Sequence, residues 1–245
     1  MTQKVVIIGI SGSSSSGKTT IARIISLVLP NCLLIHQDDF YRPNEEIPYD
    51  PKHKAQNWDS PDAIDFVKFK SVLHKLQNDP SFVYQVDSLE LPGDNRFGAD
   101  QEVVQHFSKL FEKFSDSKFV LVDGFMMYHR EELEGIFDIK LMIKTSYSTL
   151  KERRARRQGY NTVGGFWEDP PGYFDRFVWP GYYNFHKDLF NESEPVVKAS
   201  GGTLNAFAKE ELGIMAFQND DGGSFKQLQQ DVLQSLYDRC ITLGL

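Results

Sequence analysis

The sequence predicts an α/β fold, an open parallel sheet with helices on both faces. Three observations predict it. A β-branched apolar run, Val5–Ile10, leads through a Gly/Ser loop into a helical pattern. Further short apolar runs recur along the chain, and stretches of helical periodicity separate them. At 245 residues the chain fits one α/β domain with room for a lid or insertion.

The elements follow in order. Val5–Ile10 reads as a buried strand. Lys18–Leu29 is helical, with Ile21, Ile24, Ile25 and Val28 on one face, and Pro30-Asn31 stops it. Leu33–His36, Phe119–Val122 and Ile139–Ile143 are three more strands. A helix over Pro61–Leu76 is expected, capped by Ser60 with proline first. Val103–Phe114, Ser146–Arg157 and Ser224–Leu243 are further helices, Tyr173–Phe190 is helical in part with Pro180-Gly181 as a break, and Leu204–Leu212 is a short helix. Asn78–Gly98 reads as an irregular connection, and insertions are expected over about 78–116 and 193–223, within a single domain of residues 1–245.

Composition narrows the function classes. Net charge is -7, so nonspecific nucleic-acid binding is not expected. Two distant cysteines, Cys32 and Cys240, fit neither a disulfide scaffold nor a metal site. The six histidines show no metal spacing. No apolar run approaches membrane length, so a soluble, cytoplasmic protein is expected, with no membrane partner; no protein partner is inferable.

Gly12-Ser13-Ser14-Ser15-Ser16-Gly17-Lys18-Thr19 matches G-x-x-x-x-G-K-[ST] between a strand and a helix, the signature of a P-loop NTPase. Glycines let the backbone curl so that N–H groups point at phosphate oxygens, and the helix start adds its positive dipole end. Lys18 supplies a cation for the β- and γ-phosphates. Thr19 offers a hydroxyl to Mg²⁺, and Thr20 follows in the same turn. ATP and Mg²⁺ are the expected cofactors.

Strand two ends in Asp38-Asp39-Phe40-Tyr41, where ligands gather in an open parallel sheet. A carboxylate at Asp38 can take a hydroxyl proton and touch Mg²⁺, and Asp39, Phe40 and Tyr41 are candidates to line the acceptor; an Asp pair also caps turns. Asp123, after four apolar strand residues, is a candidate metal carboxylate, although Asp-Gly is also a common turn. Arg153, Arg154, Arg156 and Arg157 cannot share one helix face, so some face solvent while others can clamp a phosphoryl group, in a lid over about 151–170. Trp58, Asp59 and Tyr160 can grip a planar ring and ribose hydroxyls, and each also suits a core or turn position.

Taken together and in order, GISGSSSSGKTT, HQDDFY, NWDSPDAIDF, VDGF, ERRARRQGY and DPPGYFD resemble the nicotinamide riboside kinases, a branch of the uridine-kinase-like P-loop kinases. The resemblance covers roughly residues 4–190. It implies ATP-dependent phosphorylation of the 5′-hydroxyl of nicotinamide riboside, and of nicotinic acid riboside, to the mononucleotide that feeds NAD synthesis. It implies Asp38 as catalytic acid/base, Trp58 and Tyr160 on either side of the pyridine, Asp59 and Arg154 on the ribose hydroxyls, and Arg153 and Arg157 near the ATP phosphates. Asp123 stands where some members have Glu. Alternatives in the same fold are a uridine/cytidine kinase or another small-molecule kinase; the alternative of another class is an ATP-dependent regulatory switch. No guanine-reading N-K-x-D is present.

Overall fold

The computed structural model describes residues 4–79, 81–84, 97–128, 133, 135–157, 159–162 and 165–245. In chain order the elements are β1 (Val5–Ser11), α1 (Lys18–Val28), β2 (Cys32–His36), a hairpin of β3 (Tyr49–Asp50) and β4 (Ala55–Gln56), α2 (Phe66–Asn78), α3 (Gln101–Phe111), β5 (Lys118–Gly124), β6 (Ile139–Lys144), α4 (Tyr147–Ala155), a second hairpin of β7 (Tyr160–Thr162) and β8 (Gly165–Trp167), α5 (Trp179–His186), α6 (Glu194–Ser200), β9 (Ile214–Gln218) and α7 (Phe225–Thr242). Five strands form one parallel sheet in the order β2-β5-β1-β6-β9.

Alternation along the strands builds two cores. Val6, Ile8 and Ile10 of β1, with Phe119 and Leu121 of β5, pack against α1, α3 and α7. Ile7, Val120 and Val122 face the other way, onto α2, α5 and the aromatic stretch before it. All are almost fully buried, and each such side chain contributes about 1.5–3 kcal/mol relative to exposure. Register sets the site: Ile10 and His36 both lie opposite Asp123, so the carboxyl ends of β1, β2 and β5 meet at one level.

Four expectations need correction. Ser60 does cap a helical turn, but it is a 3₁₀ turn, Pro61–Ala63. Ile64 then goes extended to bridge Tyr41, and α2 starts afresh at Phe66 under its own cap, Asp65, whose carboxylate accepts the Lys68 N–H. Pro180 and Gly181 do not break the helix of 173–190; a π turn, Phe174–Val178, runs directly into α5, and Pro180 follows at its start. The stretch 193–223 is not irregular: it holds α6 and β9, the fifth strand. β9 is an edge strand and only partly buried, so it shows neither a continuous apolar run nor a clean alternation. The helix expected over 204–212 is a single π turn, Phe207–Glu211. Most of 80–96 lies outside the described residues. Among the described residues no helix is long and apolar enough to cross a membrane.

Candidate active site

The phosphate loop runs from the end of β1 into α1. A Cβ on Gly12 would stand 2.5 Å from the carbonyl oxygen of Ile143, so only glycine lets the loop pass β6 there. Ser15 and Gly17 adopt positive φ (68° and 93°), which turns successive N–H groups toward one concavity. Lys18, Thr19 and Thr20 form the first turn of α1, with Lys18 largely buried. The hydroxyls of Ser11, Ser13, Ser15 and Ser16 are buried without a hydrogen-bond partner. Buried polar groups are normally satisfied, so this loop is built for a polar ligand such as a polyphosphate.

A second element closes on the loop from far along the chain. The side-chain amide of Asn219, just past β9, donates to the Ser16 carbonyl at 2.7 Å. Beside it, Asp220 caps α4 by accepting from the Ser146 N–H (2.9 Å) and hydroxyl (2.7 Å). Asp221 pairs with Arg153 at 2.7 Å. Arg153 therefore reaches the loop after β9 rather than the phosphate loop in this conformation.

At the strand ends, Gln37 to Phe40 form a 3₁₀ turn. With three residues per turn, Gln37 and Phe40 point inward together, and Asp38 and Asp39 are left at the half-buried rim. This corrects the expectation for Phe40: its ring sits in the core, 4.8 Å from that of Phe69. Gln37 ties the turn to β5, accepting from the Phe125 and Met126 N–H groups at 3.0 Å each and donating to the Met126 carbonyl at 2.8 Å. His36 Nδ1 lies 3.2 Å from Asp123 Oδ2. Burial alone would raise the Asp123 pKa; the Lys18 ammonium, the bond to His36 and the Thr19 hydroxyl outweigh it and bring the carboxyl below its ordinary value. The other oxygen, Oδ1, is buried with no hydrogen-bond partner. An ionised carboxylate with a spare oxygen beside a threonine hydroxyl fits a hard cation such as Mg²⁺. Among the described residues no three His, Cys, Asp or Glu side chains cluster to hold a metal, so such a cation would rely on water and phosphate oxygens as well.

The residues expected to receive the acceptor are ringed by aromatics. Trp58 is 6% exposed, edge-on to Tyr41 (centroids 5.4 Å apart) and tilted against Trp167 (5.8 Å). Little of the expected stacking face is open in this conformation, and the indole N–H has no partner. Phe125 and Tyr173 extend the wall. The Tyr173 hydroxyl accepts the Trp58 backbone N–H at 2.9 Å. Asp59 is 5% exposed; burial raises its pKa, and Arg154 opposes the rise. Arg154, also buried, joins this pocket to the phosphate loop: Nη1 donates to Ser14 Oγ at 2.9 Å and Nη2 lies 3.7 Å from Asp59. Burial, and then the charges of Asp38 and Asp59, raises the pKa of Tyr41. A cavity of about 260 Å³ is lined by Arg154, Arg157, Asp169 and Tyr173 among others; Arg157 itself is exposed. The backbone of Tyr160 lies in β7; its side chain falls outside the described residues.

No protein-family model matches the chain. Curated relatives do. The nicotinamide riboside kinase of Saccharomyces cerevisiae is 35% identical over 242 residues, 97% of this chain and 98% of its own. That of Eremothecium gossypii is 38% identical over 194 residues, 79% and 80% of the two chains, and that of Schizosaccharomyces pombe 36% over 197 residues, 78% and 83%. The chain belongs to the nicotinamide riboside kinase family. Likeness to solved structures is looser: a thymidylate kinase from Candida albicans covers 100% of this chain and 94% of its own at 14% identity with a TM-score of 0.40, and the fold is read from the sheet order and phosphate loop above.

For a nicotinamide riboside kinase family member, the sequence reading missed several site residues. Gln37 and Asn219 look like ordinary polar residues until the fold brings them to Met126 and Ser16. Asp169 sits inside the DPPGYFD block, and its partner Arg154 lies fifteen residues back across a hairpin. Gly181 is within α5, where a Cβ would stand 2.3 Å from the Asp59 carbonyl oxygen. Only the last carried a local signal, a glycine inside a helix.

Proposed function

We propose that the chain transfers the γ-phosphate of ATP to the 5′-hydroxyl of nicotinamide riboside, and of nicotinic acid riboside, forming the mononucleotide that feeds NAD synthesis. The observation that carries this reading is Arg154, whose guanidinium touches the phosphate loop at Ser14 and approaches Asp59 in the aromatic pocket. Donor and acceptor sites are thereby held on one rigid group.

In this reading Asp59 and Arg154 bind the ribose hydroxyls, with Trp58, Tyr41 and Tyr160 around the ring. The 5′-hydroxyl then lies against Asp38, which takes its proton as the oxygen attacks the γ-phosphorus in line with the departing ADP. The phosphate-loop N–H groups and Lys18 hold the β- and γ-phosphates, and charge developing on the phosphoryl oxygens is met by Lys18 and lid arginines Arg153 and Arg157. For Arg153 that requires leaving Asp221. Mg²⁺, held by Thr19 and Asp123 with Asp38 nearby, would supply charge neutralisation between the β- and γ-phosphates. His36 orients Asp123 by its hydrogen bond.

The test is ADP release from Mg-ATP with nicotinamide riboside, nicotinic acid riboside, uridine, cytidine or no acceptor, with Asp38→Ala as control. Turnover dependent on a pyridine riboside and lost in the control supports the reading. Preference for uridine or cytidine would leave the chemistry and refute the acceptor; acceptor-independent hydrolysis would make the protein a switch.

A further inference from the structure

Arg154 is the buried cation that lies nearest Asp59, and its charge is already paired. Its Nε and Nη2 donate to the two oxygens of Asp169 at 2.6 and 3.0 Å, a bidentate pair, and its face lies 5.6 Å from the ring centroid of Tyr173. Asp59 stands 3.7 Å away, beyond hydrogen-bond distance. Two carboxylates, Asp59 and Asp169, thus face one guanidinium. Burial raises the Asp59 pKa, Arg154 and more weakly Lys18 oppose the rise, and Asp169 adds to it, so Asp169 works against the pull of Arg154 on Asp59. Asp169 is itself fixed: the Trp167 indole N–H donates to its Oδ1 at 3.0 Å, and the Trp167 ring continues the wall between Trp58 and Tyr173. Aromatic faces and uncompensated carboxylates both attract a cationic ring, and neither gives a neutral base the same gain.

We propose that Asp169 is a specificity-determining residue: by neutralising Arg154 it leaves the pocket net negative, so that a riboside whose ring is a pyridinium cation is favoured over a neutral nucleoside. This rests on the acceptor reading above and extends it to the source of the discrimination.

The experiment compares kcat/KM for nicotinamide riboside, nicotinic acid riboside, uridine and cytidine in the wild type, Asp169→Asn and Asp169→Glu. Asp169→Asn keeps the shape and one acceptor oxygen but returns a net charge to Arg154. The ratio of nicotinamide riboside to uridine kcat/KM falls about tenfold or more, chiefly through KM, and the KM for ATP holds; nicotinic acid riboside, whose carboxylate cancels its ring charge, shifts less. Asp169→Glu restores most of the ratio. A purely structural role would lower every acceptor by the same factor, and that result, or an unchanged ratio, overturns the proposal. The wild type gives a second readout independent of how the variants fold. The 1,4-dihydro form of nicotinamide riboside keeps the size and carboxamide but has an uncharged ring. Its KM is expected to be at least about tenfold higher, and an equal KM overturns the proposal. A wild type without pyridine-riboside turnover refutes the activity, and this inference with it; a wild type that prefers pyridine ribosides with an unshifted ratio in Asp169→Asn refutes this inference alone.

Discussion

Gly181→Ala pits helix propensity against a close approach. Gly181 lies in α5, and an alanine inside a helix is worth about 1 kcal/mol over glycine. By propensity alone the variant gains stability. The new Cβ, however, would stand 2.3 Å from the carbonyl oxygen of Asp59 and 3.3 Å from its carbonyl carbon. Since such contacts do not fall below 3.0 Å, the Asp59 backbone withdraws by about 0.7 Å, at an overpacking cost of about 1–3 kcal/mol. The balance is a net loss of up to about 2 kcal/mol, or a Tm lower by about 2–4 °C per kcal/mol. The larger effect is on catalysis. Displacing the Asp59 carboxylate, proposed above to bind the ribose, by most of an ångström should cost about 10- to 100-fold in kcat/KM for the riboside, while the phosphate loop is untouched and the KM for ATP holds. Thermal melts and steady-state ADP release measure both. A raised Tm with unchanged riboside kinetics would refute the reasoning, because it would mean that the helix and the Asp59 backbone are not in contact.

Other perturbations separate the parts of the site. Asp38→Asn should lower kcat by about 10²–10⁴ while ATP affinity, measured by titration calorimetry, is retained; lost ATP affinity would mean that Asp38 serves the metal rather than the proton. Asn219→Ala removes the hydrogen bond to Ser16, worth about 1 kcal/mol, and should raise the KM for ATP about fivefold with the riboside KM unchanged. Asp59→Asn should abolish riboside turnover yet raise Tm at neutral pH. The folded-state pKa of Asp59 lies above the ordinary 3.8, so its contribution is fully present below that pH and is lost as pH rises through the folded value; the Tm gap over wild type should shrink as pH is lowered toward 4. A gap that is constant with pH would show that burial of the charge is not its cause.

Much of the fold was legible because its signals are local. The apolar strands β1, β2, β5 and β6 and the phosphate loop each declare themselves within about ten residues. β9 did not, because an edge strand buries too little to leave a pattern, and Ser60-Pro61 marked a 3₁₀ turn because the true helix start needed the bridge between Tyr41 and Ile64. In the candidate site, residue type and strand-end position single out Asp38 and Asp123, whereas Asp59 suits a core or turn and Arg154 a solvent-facing helix position as well, and both are assigned to the ribose only through the family resemblance; the fold brings those two within 3.7 Å. Position alone did not show that Phe40 turns inward with Gln37, or that Arg153 faces Asp221. Asp169 and Asn219 act through partners brought together only by tertiary folding, Asn219 across 203 positions of sequence.

That last separation bears on how the protein is made. During synthesis the phosphate loop leaves the ribosome well before its Asn219 brace, 203 positions on from Ser16, and the neighbouring β9 strand. The strand β1 must likewise wait for β5 and β6, more than a hundred residues later, before it has sheet partners. The nascent chain therefore carries an apolar strand and a glycine-serine loop that stay without these partners until the later strands follow, so the site closes through contacts of long sequence separation, the kind that slow folding.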